Sequence, residues 1–291
     1  YTYDQSNILA RSVATNSAGA VRSTSDFEIG IDGQARIARQ TDNLTGNVTT
    51  FAYNANNQMT QSVTRNASGT ALSTTNYEIG VDGQARQRES VDNLTGNVTT
   101  YQYDGNNQLM ASRVRNSAGR ALSTTTFEIG ADGQSRASTQ IDELTGNTTT
   151  FEYDSTNMMT RSTVRGSGNQ VLSTSVYERN VDGQARIARQ TDNLTGNVTT
   201  HSYNSNGTLV QTQTLNSQGE TISTATFEIG VDGQARISSQ IDNLTGNATT
   251  FAYDANNQMT QSVTRNTGGE ILSTTNYEIG LDGGDRQVST L

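Results

Sequence analysis

The sequence repeats every 50 residues without an insertion or a deletion, giving five complete copies and an incomplete sixth. The copies begin at residues 1, 51, 101, 151, 201 and 251. A fixed period of this kind is typical of arrays in which each copy occupies an equivalent position and contacts its neighbours. We therefore expect residues 1–291 to form a single tandem-repeat array. Neither end departs from the repeat to form a cap, so we expect this array to be part of a longer one.

Each copy reads as four short strands separated by tight turns. Residues 48–53 alternate in the manner of a strand, which places Phe51 and Tyr53 on one face. The last position of the turn that follows is Asn57 in the second copy and Gly207 in the fifth. Asparagine and glycine adopt a positive φ more readily than other residues, so we predict this conformation there. No segment carries a sustained helical period, and the sequence therefore predicts an all-β fold.

The 50-residue copy is itself a double hairpin. Residues 27–34 align with residues 51–58, with turn glycines of the first segment over turn asparagines of the second. The aromatic residues that open successive segments lie 24 and then 26 positions apart. The basic element is therefore a β-hairpin of about 25 residues. We predict tandem β-hairpin repeats stacked into an elongated spiralling sheet, tube or solenoid-like array.

Apolar side chains recur in columns through the copies, and we expect them to supply the hydrophobic stabilisation of a thin β-array. A fully buried side chain of this kind contributes about 1.5–3 kcal/mol. The first aromatic column consists of Tyr1, Phe51, Tyr101, Phe151 and Phe251, with His201 in the fifth copy. The second aromatic column consists of Phe27, Tyr77, Phe127, Tyr177, Phe227 and Tyr277. A leucine column consists of Leu44, Leu94, Leu144, Leu194 and Leu244.

The composition argues against several classes of function. The net charge is −9, and the 19 basic residues, all arginine, form no cluster, so we expect no nucleic-acid partner. The chain has no cysteine, which excludes disulfides and thiolate metal sites. No apolar run approaches the length of a membrane helix, so we expect no membrane insertion.

A Tyr-Asp pair precedes the turn of one hairpin in most copies and is followed by a leucine or methionine. These pairs are Tyr3-Asp4, Tyr103-Asp104, Tyr153-Asp154 and Tyr253-Asp254. The pattern resembles the YD repeat of RHS and teneurin proteins, which is a β-hairpin of similar length. The resemblance implies hairpins that wind into a spiralling sheet and form a shell or a tube. The second half of each copy departs from the motif, with Ile-Gly or Arg179-Asn180 in place of Tyr-Asp.

Charged side chains also form columns, and we weighed them as candidate sites. The acidic column contains Glu28, Glu78 and Glu128, and the basic column, eight residues further on across a turn, contains Arg36, Arg86 and Arg136. One interpretation is an acid paired with an electrophile in a reactive centre. The other is a cross-strand ion pair on each hairpin. We favour the ion pair, because a ladder of equivalent copies is poor material for a single active site.

Three further features have a functional and a structural interpretation. The aspartate columns of Asp32 and Asp42 are candidates for calcium, but Asp-Gly is an ordinary turn pair and no calcium-loop signature occurs. His201 stands alone and replaces an aromatic residue, so we interpret it as a packing residue. The repeated Thr49-Thr50 pair is a candidate ice- or glycan-binding row, although threonine is also a good strand former. We expect no metal, no cofactor and no catalytic residue.

The most direct functional hypothesis is an extracellular or cell-surface structural protein. Regular β-stacking and self-association into a homopolymer would form a fibre, filament or surface stalk and would cover exposed strand edges. The alternative is a segment of an RHS-like shell or adhesin that encloses or presents another domain. A weaker alternative is a repetitive ice- or glycan-binding surface. We expect that the chain is not an enzyme, since no nucleophile and base pattern is present.

Overall fold

The computed structural model describes residues 1–279 and 285–290. Two compact units divide the chain, Tyr1–Asn147 and Thr148–Leu291. The elements are β-strands joined by turns, and the described residues contain no helix. The predicted all-β fold of tandem hairpins is confirmed.

Twelve strands of the described chain fall in each unit. The strands of the first unit are β1 (Thr2–Tyr3), β2 (Leu9–Thr15), β3 (Val21–Ile29), β4 (Ala35–Asp42), β5 (Val48–Tyr53), β6 (Met59–Arg65), β7 (Ala71–Ile79), β8 (Ala85–Asp92), β9 (Val98–Tyr103), β10 (Leu109–Arg115), β11 (Ala121–Ile129) and β12 (Ser135–Asp142). The strands of the second unit are β13 (Thr148–Tyr153), β14 (Met159–Arg165), β15 (Val171–Arg179), β16 (Ala185–Asp192), β17 (Val198–Tyr203), β18 (Leu209–Leu215), β19 (Thr221–Ile229), β20 (Ala235–Asp242), β21 (Asn247–Tyr253), β22 (Met259–Arg265), β23 (Ile271–Ile279) and β24 (Asp285–Thr290).

Within each unit, every strand pairs antiparallel with the strands that precede and follow it in the chain. The connections are hairpin turns, and each unit is therefore a meander. The positive φ predicted at the turn position of Asn57 is confirmed, with 60° at Asn57 and 82° at Gly207. A short turn of this kind closes only where a residue tolerates the left-handed conformation.

Most strand pairs contain a β-bulge at a position that recurs with the repeat. Asp26 lies opposite Arg39, whereas Phe27 lies opposite Ile37, so β4 contributes one additional residue. Equivalent shifts occur between β5 and β6 and between β6 and β7, whereas β4 and β5 pair without a shift. A bulge bends the strand that contains it and increases its twist. The repeat thus introduces the same local bend in each copy.

The register places both aromatic columns on the same face of the sheet. The ladder partner of Phe51 is Ser62, whose own partner is Thr75, two residues before Tyr77. Ladder partners share a face, and residues two apart on a strand share it too. Ser62 Oγ lies 3.3 Å from the Tyr77 hydroxyl, which is consistent with that placement. Both aromatic columns therefore lie on one side of each unit.

No hydrophobic side chain of the described residues is fully buried. The aromatic columns are half-buried within strands, except for Tyr1, which is 86% exposed. The expectation that the leucine column forms part of a core is wrong. These side chains are 65% exposed at Leu44, 68% at Leu94, 53% at Leu144, 71% at Leu194 and 72% at Leu244. Their exposure follows from their place at the tips of the loops after β4, β8, β12, β16 and β20.

Candidate functional site

Neighbouring turns contact each other along one edge of each unit. The turn after β7 begins at Gly80, and the turn after β9 ends near Asn107, whose φ is 64°. The backbone amide of Val81 donates a hydrogen bond of 3.1 Å to Asn107 Oδ1. A Cβ on Gly80 would lie 2.5 Å from that same oxygen. Glycine is therefore required here for the close approach of the two turns, because the Cβ of any other residue would displace the side-chain amide of Asn107.

Arg86 joins this pair of turns to the strands beneath it. Its Nη1 donates to Asn107 Oδ1 at 2.5 Å, and its Nη2 lies 2.8 Å from Glu78 Oε1. The guanidinium carbon lies 4.3 Å from the centre of the Tyr103 ring, the geometry of a cation–π contact. We call Glu78, Arg86, Tyr103 and Asn107 the arginine cluster. A planar guanidinium can make all three contacts at once, whereas an ammonium group is a single point charge.

The arginine cluster recurs in both units. In the first unit it also consists of Glu28, Arg36, Tyr53 and Asn57, and in the second unit of Glu228, Arg236, Tyr253 and Asn257. Each of these ion pairs and hydrogen bonds has the geometry of its counterpart. The remaining predicted pair is also in contact, since Arg136 Nη2 lies 2.8 Å from Glu128 Oε1. The structure therefore places Glu28, Glu78 and Glu128 against the arginines eight residues later.

The cluster around Arg186 exchanges the two residues of the turn contact. Asn180 occupies the position of Gly80, and Gly207 occupies the position of Asn107. Asn180 Oδ1 now accepts from the amide of Val181 at 2.8 Å and from Arg186 Nη1 at 2.9 Å. The same two donors are thus satisfied by an amide that comes from the opposite turn. In both arrangements a carboxamide oxygen accepts from the turn amide and from the arginine, and either turn can supply it.

Sequence reasoning identified the acid and the arginine but missed the tyrosine and the asparagine. Tyr103 and Asn107 belong to the next hairpin, and only the contact between turns brings them to Arg86. One signal in the sequence did point to the contact between these turns. The fourth copy replaces glycine by asparagine at Asn180, and the fifth copy replaces asparagine by glycine at Gly207, so the two changes compensate each other.

The side chains of the cluster bond to one another and to the backbone. The carboxylate, the guanidinium and the amide each contact another member of the cluster, and the Tyr103 hydroxyl donates to the carbonyl of Gln87 at 2.7 Å. Burial raises the pKa of Tyr103 above its usual 10.0, so the phenol stays protonated at neutral pH. The arrangement connects hairpins.

The aspartates of the two turn columns also have partners within their own turns. Asp32 Oδ1 accepts from the amide of Gln34 at 3.0 Å, and Asp42 Oδ1 accepts from the amide of Leu44 at 2.8 Å. The bonds from Leu44 and Thr45 hold the pKa of Asp42 below its ordinary value of 3.8. These side chains close turns. Within the described ranges, no three acidic, histidine or cysteine side chains form a group that could hold a metal ion.

The threonine row is bonded across strands. Thr49 Oγ1 lies 2.9 Å from Thr64 Oγ1, and Thr199 Oγ1 lies 3.0 Å from Thr214 Oγ1. Because these hydroxyls satisfy each other in pairs, they contribute to the cross-strand ladder.

His201 occupies the aromatic face of the second unit, and its environment penalises the charged form. Its Nδ1 is buried and has no hydrogen-bond partner within the part of the chain that the structure describes. Burial lowers the pKa of His201 from the ordinary 6.5. The unfolded chain therefore binds a proton at a higher pH than the folded chain does. The stability of the second unit consequently falls as the pH decreases below about 6.5.

We expect the His201→Phe substitution to remove that pH dependence, because phenylalanine occupies the same column in three other copies. Thermal unfolding midpoints at pH 8 and pH 5 measure the effect. The parent chain should lose more stability between these two values than the variant. Tyr101→Phe, at the equivalent position of the first unit, is the matched control and should leave the difference between pH 8 and pH 5 unchanged. Equal acid sensitivity of the parent and the His201→Phe chain would contradict this account.

The described residues include no helix with the length and apolar character needed to cross a membrane. No family model matches the chain, and no curated protein matches its sequence.

Solved structures with some similarity include large toxin chains and a porin-like protein. The chain aligns over 94% of its length with a chain of the Tc holotoxin pore of Photorhabdus luminescens, at 14% identity and a TM-score of 0.45, and covers 15% of that chain. It aligns over 95% of its length with the TcdB2-TccC3-Cdc42 structure, at 14% identity and a TM-score of 0.30, and covers 20% of that chain. A porin-like protein from Bacteroides uniformis gives 14% identity and a TM-score of 0.29, with 92% and 94% of the two chains covered.

Proposed function

We propose that this chain is a non-catalytic structural wall, an RHS-like segment of an extracellular protein that encloses or presents another domain. The observation that carries the proposal is the absence of any fully buried hydrophobic side chain among the described residues, despite continuous strand pairing in each unit. A globular enzyme buries most of its large apolar side chains. A sheet one layer thick is instead suited to separating the space on one of its faces from the space on the other.

The two faces of the sheet support this proposal. One face carries the half-buried aromatic columns, and adjacent strand positions carry charged residues such as Arg39 and Asp26 on the opposite face. The recurring bulges bend the strands in the same way in each copy. A bent sheet with aromatic columns on one face and mainly polar residues on the other has the properties of a wall. The Tyr-Asp pairs described above add the resemblance to RHS repeats.

A fibre is the second candidate, and the near-identity of the copies favours it. Residues 32–50 and 182–200 are identical over all 19 positions. Interchangeable copies suit a polymer in which every contact repeats, and self-association would then be the function of the strand edges.

Electron microscopy of the purified chain over a range of concentrations, with light scattering for mass, tests both proposals. The wall proposal expects single particles of constant mass that do not grow with concentration. Uniform filaments with an axial repeat would overturn it in favour of the fibre. For the location, protease treatment of intact producing cells is expected to degrade the chain, and full protection until the cells are lysed would contradict an extracellular wall.

A further inference from the structure

A unique site in a repetitive chain has to arise where one copy differs from the others. The third copy carries two such differences on neighbouring strands. Arg113 stands where three other copies have valine, and Glu143 stands where the other four have asparagine. Both residues line one groove of about 310 Å³ in the first unit. The other copies form the same strands without an arginine or a glutamate at these positions, so neither substitution is needed for the fold.

The groove lies on the face opposite the aromatic columns. Arg113 has Thr100 and Thr124 as its ladder partners, so these three side chains form one row across β9, β10 and β11. Thr100 precedes the aromatic residue Tyr101 and therefore points to the other face. Gln102 and Arg115 line the groove beside this row. The lining combines cations, hydroxyls, an amide and a carboxylate.

Arg113 has an unused hydrogen-bonding capacity. Its Nε is buried and has no partner among the residues that the structure describes. Arg115, by comparison, donates from Nη1 to the carbonyl of Gly119 at 3.3 Å. Arg113 lines the groove, and a planar guanidinium matches the geometry of a carboxylate. The groove therefore favours a ligand that brings an anionic carboxylate.

Glu143 supplies the complementary chemistry. Its Oε1 accepts a hydrogen bond of 2.6 Å from the hydroxyl of Thr124, which fixes the position of the carboxylate. Carboxylate oxygens have more acceptor sites than this one bond uses, and they accept readily from hydroxyl groups. A ligand with one carboxylate and several hydroxyls fits both Arg113 and Glu143.

We propose that this groove binds an acidic sugar, with Arg113 pairing with the carboxylate of the sugar and Glu143, Thr100 and Gln102 contacting its hydroxyls. The volume of about 310 Å³ is at the small end of ligand pockets and suits one sugar ring. The site is independent of the wall or fibre role of the array, because it depends on residues that the other copies lack.

Calorimetric titration of the whole chain with a glucuronic-acid-containing tetrasaccharide tests the proposal, with a neutral tetrasaccharide and acetate as separate ligands. We expect binding of the acidic oligosaccharide, weakened by added salt, and no measurable binding of the other two. Arg113→Val restores the residue of three other copies and should weaken binding about tenfold or more. Arg22→Leu removes one charge in the same way, restores the leucine of four other copies and should change the affinity by less than about twofold.

Three outcomes would overturn the proposal. These are the absence of binding to the acidic oligosaccharide, equal affinity of the Arg113→Val chain, and binding of acetate as tight as that of the oligosaccharide. The last would leave a carboxylate site without sugar recognition. Both variants adopt residues that the repeat already accepts at those positions, so loss of folding is not expected, and unchanged circular dichroism verifies it.

Discussion

Replacing Gly80 by asparagine in a chain that retains Asn107 is expected to destabilise the first unit by about 1–3 kcal/mol, the usual cost of overpacking. The new Cβ would lie 2.5 Å from Asn107 Oδ1, so the Asn107 side chain has to move and loses its bonds to the Val81 amide and Arg86. Replacing Asn107 by glycine alone is expected to cost about 1–2 kcal/mol. That change removes the acceptor of the Val81 amide and of Arg86, and each hydrogen bond contributes about 1 kcal/mol.

The double variant Gly80→Asn with Asn107→Gly should recover most of this loss. It reproduces the arrangement of Asn180 and Gly207, in which the amide comes from the other turn. The coupling energy of the cycle should therefore be about 1–3 kcal/mol, well above the error of additivity for independent sites. Urea unfolding gives the change in the free energy of unfolding, relative to the parent chain, for the two single variants and the double variant. Hydrogen exchange of the Val81 amide reports the local effect. Simple addition of the two single losses would show that the turns do not share one amide site.

The second large effect is expected at the arginine of the cluster. Arg86→Lys keeps the charge but should cost about 1–2 kcal/mol, since lysine cannot contact Glu78, Tyr103 and Asn107 together. The stacking contact contributes about 0.5–1 kcal/mol at a partly exposed site. The ion pair adds less than about 1 kcal/mol because Glu78 is 35% exposed and solvent screens the attraction. Most of the remainder comes from the charge-assisted bond to Asn107.

Arg88→Lys provides the matched control for Arg86→Lys. Arg88 lies two residues away on β8 and is exposed to solvent. Its replacement by lysine should change the free energy of unfolding by less than about 0.5 kcal/mol, as for most surface substitutions. Urea unfolding of both variants in the same buffer measures the difference. Equal stability of the two variants would mean that Arg86 contributes only its positive charge and that the geometry of its contacts does not matter.

Local patterns in the sequence were sufficient for the strands, the turns and the ion pairs. Alternation around Phe51 and the Asn57 or Gly207 turn position are properties of neighbouring residues, and each hairpin forms from them. Glu78 and Arg86 face each other across one turn, so their separation of eight residues already placed them together. The fold class followed from these short-range regularities.

The contacts between hairpins could not be derived in the same way. Tyr103 reaches Arg86 only because β8 pairs with β9 and the turn before β8 meets the turn after β9. Neither contact can be read from the sequence of a single hairpin. The prediction that the leucine column forms part of a core was wrong for a related reason. Leu44 lies in a loop whose hydrogen bonds to Asp42 determine the backbone path, and hydrophobicity alone does not show whether a loop side chain is covered.

The exchange of Asn180 and Gly207 limits how the number of copies can change. Recombination between identical coding stretches removes or adds whole multiples of 50 residues, and most such events would leave every glycine turn facing an asparagine turn. A loss of residues 191–240 would instead place Asn180 beside Asn257, and a loss of residues 141–190 would place Gly130 beside Gly207. The first product would be overpacked and the second would lack the amide that the arginine requires. We therefore expect the turns after β15 and β17 to be inherited together, whereas the other copies are exchangeable.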